Sequence, residues 1–430
     1  MVNHPSGKGL PVVVVGAGAA GLMAAIFAGR SHCRVLLLER TPGGGRKILI
    51  SGGGRCNILP SRLEPARCVS DSSPHALRKI LLSWPLAEQK RFFEEEAGIP
   101  LVLEPETGKF FPASGKARLV RDHLVSLAGR AGAEIRFGAL VTGLDPPDGK
   151  GSWTVHLGHG NPIRAAAVIL ASGGLSVPST GSDGIGLEIA RRLGHTVRET
   201  YPALTPLLAD PPLHAPLSGV SLNVTLTAPE GKKRHLARGG FLFTHRGYSG
   251  PAVLDISHRV ARSRREGGER QPIFVQWTDL DASGWDRLLR EGAGRVGALL
   301  RRRLPERLAR ALLAEAGVDP EGSLSHLRRD ERRRLVEILA HYPLPWSGDE
   351  GYRKAEVTGG GVALEEVDPR SLESRIHRGL HLCGEILDVF GPIGGHNFAW
   401  AWSTGRAAGI GAAMGGRGET APGEGAGGGD

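Results

Sequence analysis

Cysteine is scarce. The four in 430 residues, Cys33, Cys56, Cys68 and Cys383, form neither a C-x-x-C pair nor a metal-ligand spacing. This excludes a disulfide framework and any chemistry that needs a close dithiol pair, and no metal site is expected. The usage fits a reducing compartment, so the expected location is cytoplasmic. Long apolar runs are also missing, which excludes a membrane span. The N-terminal valine run is short and broken by glycine, so it reads as a core strand and not as a secretory signal. There is no convincing internal repeat and no nucleic-acid-binding module.

What is abundant is glycine, 64 residues, with 29 prolines, a composition that favours turns and close backbone approaches. Lys and Arg number 54 against 44 Asp and Glu, a net charge of +10. That charge has two readings: a basic background composition, or attraction to anionic ligands. By itself it does not make nucleic acid a partner.

Residues 12–57 carry the strongest pattern: four valines, then Gly16-Ala17-Gly18-Ala19-Ala20-Gly21, a helical stretch, and a second apolar strand closing on Glu39. Strand, glycine turn, helix, strand and acid together form a dinucleotide-binding fingerprint. Gly16 permits the turn, Gly18 lets backbone approach a pyrophosphate, and Gly21 lets the helix pack on the sheet. The helix N-terminus offers unpaired N–H groups to phosphates. Glu39 suits ribose hydroxyls and argues for FAD or NAD over a 2′-phosphorylated nucleotide.

The next segment, Gly43 to Asn57, reads GGGRKILISGGGRCN. Its glycines let backbone crowd a planar or anionic ligand. Arg46, Lys47 and Arg55 supply positive charge, and Ser51 and Asn57 neutral hydrogen bonds. Cys56 is a candidate nucleophile, or a small packed residue. Further on, AAAVILASGG reads as a buried strand ending at Gly173-Gly174, a phosphate-side or packing turn. Near the C-terminus, GEILDVFGPIGGHNFAWAWSTG places Glu385 and Asp388 after a strand, where they can meet ribityl or ribose hydroxyls. Gly394-Gly395-His396-Asn397 then opens a helix. His396 could donate a proton to substrate or satisfy a core hydrogen bond. Between these blocks lies a polar knot, FTHRGYSG, in which His245 and Arg246 either face substrate or close a β-turn.

The texture along the chain divides it. Residues 1–10 look like a flexible leader, and 11–198 like the first block of a nucleotide domain. Residues 199–352 look like an insertion, mainly β over 199–280 and helical and arginine-rich over 281–342. Residues 353–412 return to the nucleotide domain, and 413–430 form a Gly-rich tail expected to be disordered.

In order and spacing, GAGAAG, GRKILISGGGRCN, FTHRGYSGPA and GEILDVFGPIGGHNFAWAWSTG resemble the HI0933-like flavoproteins, also called the BaiN or YhiN family of NAD(P)/FAD-dependent oxidoreductases. The resemblance spans nearly the whole chain. It implies an α/β fold: a discontinuous Rossmann-type FAD-binding domain, with an inserted domain made of a β-barrel-like part and a small helical part. It implies non-covalent FAD, with Gly16, Gly18, Ala20 and Gly21 on the pyrophosphate, Glu39 on the ribose, and Val141 touching adenine through backbone. Arg46, Lys47 and Gly52, Gly53, Gly54, Arg55, Cys56 and Asn57 would line the flavin side. Glu385, Gly394, Gly395 and Asn397 would close over ribityl and isoalloxazine. Ala19, Arg40, Gly45, Ser172, Gly173, Gly384 and Phe398 complete the expected binding set. The family pattern often carries an aromatic residue where this chain has His396.

The resulting expectation is hydride transfer from NAD(P)H, bound transiently, through FAD to a small organic acceptor with a C=C or C=O bond. Catalytic candidates are Cys56, His396 and His245. An RNA-associated flavoprotein and a flavin redox sensor without turnover are the alternatives.

Overall fold

The computed structural model describes residues 9–147, 151–231, 233–265 and 270–415. Residues divide into two compact units, Met1–Thr200 with Thr358–Asp430, and Tyr201–Val357. The expected leader and tail lie largely outside the described residues. The part of the tail within them, residues 413–415, is corrected: it is the last turn of a helix.

The first unit opens on β1 (Val12–Val15), all four valines buried. β-branched side chains suit a parallel strand covered on both faces. A glycine turn leads into α1 (Ala19–Arg30), and β2 (Val35–Glu39) returns parallel, with Leu37 opposite Val14. Then come α2 (Arg46–Ile50), α3 (Ala117–Arg130) and β3 (Ala133–Phe137), whose Ile135 pairs with Leu37. A separate antiparallel sheet follows: β4 (Val141–Asp145), β5 (Trp153–Leu157) and β6 (Ile163–Ala165). β7 (Ala167–Leu170) joins the other side of β1 and leads to α4 (Ile185–Arg192). After the second unit, β8 (Leu380–Leu382) pairs with β7, and α5 (His396–Gly415) ends the described chain. The sheet order is β8-β7-β1-β2-β3, all parallel. The chain reverses direction across the sheet between β1 and β7, so the glycine turn after β1 lies at the switch point where open α/β sheets bind ligands.

α1 and α5 cross with almost no side chain between them. A Cβ on Gly405 would lie 2.3 Å from the Ala20 carbonyl oxygen, and one on Gly409 would lie 2.4 Å from that of Ala24. Pro85, expected to break a helical stretch, separates helices Pro74–Leu81 and Leu86–Arg91. Rings of Phe27, Trp84, Phe92, Phe93 and Trp402 meet edge to face around these helices.

The second unit is built on a seven-stranded antiparallel sheet whose longest hairpin joins Ser221–Glu230 to Lys233–Phe243. Helices Ala282–Glu291, Val296–Arg301, Glu306–Ala316 and Arg329–Ala340 bury Leu289, Leu300, Leu308, Leu312, Leu335 and Leu339. Most arginines between these leucines stay exposed, as a solvated face of a core helix requires. Among the described residues no helix is long and apolar enough to cross a membrane.

The α1–α5 crossing yields a test. Gly409→Val drives a side chain into the α1 backbone and should lower the unfolding free energy by about 1–3 kcal/mol or more. Gly415→Ala, with nothing within 4 Å of the added methyl among the described residues, should stay within roughly 0.5 kcal/mol of the parent. Urea unfolding midpoints decide between them.

Candidate dinucleotide site

The N-terminus of α1 is the centre of the site. It has no side-chain cap and no acid in its first turn, so the leading N–H groups stay available. The turn before it is crowded below and open above. A Cβ on Gly21 would lie 1.8 Å from the Gly16 carbonyl oxygen, whereas one on Gly18 would meet nothing within 4 Å. Glu39, buried at 8% exposure, takes the Ala17 N–H on one oxygen and the Thr41 N–H and hydroxyl on the other, at 2.7–2.8 Å. A carboxylate has about four acceptor positions, so one is left for a ribose hydroxyl. Arg40 pairs with Asp183 at the rim. The loop before Val141 is tied to this end of the sheet, the Gly138 and Ala139 N–H groups donating to the Thr41 and Glu39 carbonyls.

A second group of polar residues lies beside the turn. Lys47 donates to Ser176 Oγ at 2.5 Å and to Glu385 Oε2 at 2.6 Å. Glu385 Oε1 also accepts from Ser176 Oγ at 2.6 Å and from the Thr358 N–H and hydroxyl at 3.0 Å. This network joins both sequence blocks of the unit. Ser176 and Thr358 were not foreseen from sequence. The available signal was the Gly173-Gly174 pair: a Cβ on Gly174 would lie 2.4 Å from Thr358 Oγ1, so only glycine admits the approach. Ser172, beside Gly173, has a buried hydroxyl with no hydrogen-bond partner among the described residues.

The GRKILISGGGRCN segment is a short helix, α2, and a 3-10 turn over Ser51–Gly54, and several of its expected ligand contacts are corrected. Gly45 gives its N–H to the Ala17 carbonyl at 2.7 Å. Ser51 spends its hydroxyl on the Ile48 carbonyl. Arg55 stacks 4.0 Å over Phe111 and pairs with Glu104 at 3.1 Å. Cys56 is fully buried with φ 63°, and burial pushes its thiol up to about 12. The thiolate a nucleophile needs is therefore absent at neutral pH. Arg46 remains exposed and without an ion pair among the described residues, and Gly53 and Gly54 face open space.

The C-terminal segment brings further corrections. Asp388 is 2% exposed, and its Oδ2 accepts from Ser70 Oγ, the Asp71 N–H and Ser72 Oγ, so it pins the 70–72 loop and does not reach a ligand hydroxyl. Asn397 gives its whole amide to the Gly391 backbone, accepting at 2.8 Å and donating at 3.0 Å. Gly384 donates to Thr404 Oγ1 and accepts from Trp400, and Phe398 stacks on Trp402. Gly394 and Gly395 both hold positive φ, 108° and 97°, at the mouth of α5. His396, the first residue of α5, is 8% exposed, and its Nδ1 has no hydrogen-bond partner among the described residues. The core hydrogen bond expected as one of its two roles is not made there, and leaving such an atom unpaired costs about 1–3 kcal/mol. His245 lies in the second unit, exposed in the tight turn where the Thr244 N–H donates to the Gly247 carbonyl. That geometry is the β-turn reading.

These residues suit FAD. The uncapped helix, the Glu39 carboxylate and the space before Gly18 form a donor and acceptor set for a dinucleotide with a free ribose. A parallel α/β sheet carrying this cradle defines an FAD-dependent oxidoreductase. The profile of the HI0933-like protein Rossmann domain matches residues 10–411, and the chain belongs to this family. It is 34% identical over 398 residues to the "Ribosomal RNA dihydrouridine synthase" of Escherichia coli (strain K12), covering 91% of this chain and 95% of that protein. A protein of the same name from Haemophilus influenzae is 32% identical over 407 residues, 91% and 96% of the two chains. The "3-dehydro-bile acid delta(4,6)-reductase" of Clostridium scindens is 32% identical over 409 residues, 93% and 98%.

Two buried groups make opposite predictions for pH. Burial, helped by the Asp71 charge, raises Asp388 from 3.8 to about 6. The folded chain therefore keeps a proton that the unfolded chain has lost. The stability this adds is full below the unfolded value and disappears as pH rises through about 6. Burial, then Arg67, lowers His396 from 6.5 to about 4. Its contribution is present above the unfolded value and disappears as pH falls towards 4. Between these limits Asp388→Asn should steepen the rise of stability with pH, and His396→Phe should flatten it, as read by urea midpoints in a pH series.

Proposed function

We propose that this chain reduces a carbon–carbon double bond conjugated to a carbonyl, with NADH or NADPH as the hydride source. One observation carries the reading: relatives named for different substrates are named for the same bond. Dihydrouridine is uridine whose ring C=C, conjugated to a carbonyl, has been reduced. The double bonds of a 3-dehydro-Δ(4,6) steroid likewise extend from a ketone. FAD, when bound, supplies two-electron hydride chemistry. The chain supplies position: the α1 N-terminus and Glu39 hold the dinucleotide, while Lys47 and Glu385 tie the two sequence blocks beside it. The sequence shows no second dinucleotide fingerprint, which supports transient binding of the nicotinamide.

An anaerobic titration with NADH and with NADPH, following the flavin absorption band, tests the donor. One nucleotide should bleach the band, and a conjugated enone or a uridine-containing ribosomal RNA fragment should restore it. If neither nucleotide bleaches the band, the donor is something else. If the band bleaches but no acceptor other than oxygen restores it, the redox-sensor reading replaces this one.

A second reading, that the acceptor is carried on RNA, is favoured by five arginines of the second unit. Arg287, Arg301, Arg302, Arg329 and Arg333 are exposed and make no ion pair among the described residues. Replacing Arg301, Arg302, Arg329 and Arg333 by glutamine should weaken binding of a ribosomal RNA fragment. It should also flatten the salt dependence, by about 0.7 in the log–log slope for each phosphate that the variant no longer neutralises.

A further inference from the structure

The stretch between β7 and α4 crosses the rim of the dinucleotide site and is tied down at two points. At its inner end the Leu175 and Ser176 N–H groups donate to Thr358 Oγ1, at 2.7 and 3.1 Å, and Ser176 Oγ lies between Lys47 and Glu385. At its outer end Asp183 pairs with Arg40. Between them Gly181 lies against Thr41, whose hydroxyl holds Glu39: a Cβ on Gly181 would meet Thr41 Cγ2 at 3.3 Å. Of residues 177–184 only Ser182 is buried, so no buried apolar side chain holds this stretch down. Segments of that kind open locally at low cost. Val177, next to the inner tie, sits in the left-handed region at φ 47° and ψ 67°. A β-branched residue is strained there. Its carbonyl takes both the N–H and the hydroxyl of Thr180, each at 2.8 Å, which keeps it in that conformation.

We infer that residues 177–183 form a strap that opens to admit and release FAD, with Val177 as its hinge. The inference rests on the FAD site and is independent of the C=C reading and of the hydride donor. Strain at Val177 raises the closed arrangement, while the two ties lower it, so open and closed forms lie close enough to exchange. The ties are unequal. Asp183–Arg40 is a partly exposed ion pair, of the kind that contributes little and parts readily. The inner tie is shared among Ser176, Thr358, Lys47 and Glu385 and stays made. Parting of the outer pair lets Val177 leave the left-handed region and lifts Gly181 from Thr41. The rim beside Glu39 is then free. Closing restores the ion pair and the Gly181 contact at the cost of the strain.

The test measures two rates on the full chain: FAD uptake by protein stripped of flavin, and FAD release from the loaded protein, both followed by FAD fluorescence. Thermal midpoints are taken alongside. Val177→Gly removes the strain from the closed strap, because glycine adopts positive φ at no steric cost. It should slow uptake and release together, each by about fivefold or more, and leave the dissociation constant within about twofold. Asp183→Asn weakens the outer tie and should speed both rates by about two- to fivefold. A gate alters passage equally in both directions, so parallel changes in the two rates are its signature. If Val177→Gly raises the thermal midpoint but leaves both rates within twofold of the parent, the strain is merely structural and the inference is overturned. A change in release alone also overturns it, since that marks a direct cofactor contact. A parent that takes up no FAD overturns it together with the site it rests on.

Discussion

The arrangement depends on one steric constraint: the N-terminus of α1 must remain bare while backbone crowds it on every other side. Gly16 and Gly21 close the turn beneath it. Gly405 of α5 presses to within 2.3 Å, measured from an added Cβ, of the Ala20 carbonyl oxygen. Gly384 comes so near Ala20 that two methyl groups would stand 2.8 Å apart. Only above Gly18 is there room. Helix α1 is thus clamped by backbone, its first N–H groups are not spent on a cap, and its dipole points into open space. Strand β8 and helix α5, more than 350 residues from β1, are required to make this clamp. The nucleotide domain therefore cannot be completed before the end of the chain is in place.

Around that clamp the polar groups divide into those that hold the protein to itself and those left over. Glu39 closes a strand and Glu385 and Asp388 follow one, yet their fates differ. Glu39 keeps spare acceptor capacity, Glu385 is bound by Lys47, Ser176 and Thr358, and Asp388 is closed off by Ser70 to Ser72. Burial sharpens the division. It raises the thiols of Cys56 and Cys68 and the carboxyl of Asp388, and lowers His396, because each charged form would have to leave water. What remains open is the row of α1 amides beside the spare acceptor position of Glu39, a hydrogen-bonding set of the kind a dinucleotide uses.

Legibility in the sequence followed distance along the chain. The β1–α1–β2 unit was readable because all its parts lie within about thirty residues and each glycine has a local reason. The break at Pro85 and the buried strand ending at Leu170 were readable for the same reason, as pattern and propensity act locally. Asn397 and Arg55 were misjudged because a polar residue beside a glycine motif has the same sequence whether it faces a ligand or the protein. Ser176 and Thr358 were invisible because the Leu175 and Ser176 N–H groups meet Thr358 Oγ1 only after the two blocks come together.

The amino-acid sequence by itself determined the class: a parallel α/β nucleotide domain with a glycine turn opening an uncapped helix and an acid closing the second strand. Those features follow from backbone geometry and hydrophobic period, which short segments carry. The tertiary structure alone decided which polar groups are consumed and which are free. It silenced Cys56, turned Asp388 and Asn397 inward, put His245 in a surface turn and left His396 Nδ1 without a partner. Hydrogen-bond satisfaction is settled between residues far apart in sequence and close in space, so no reading of local pattern can supply it.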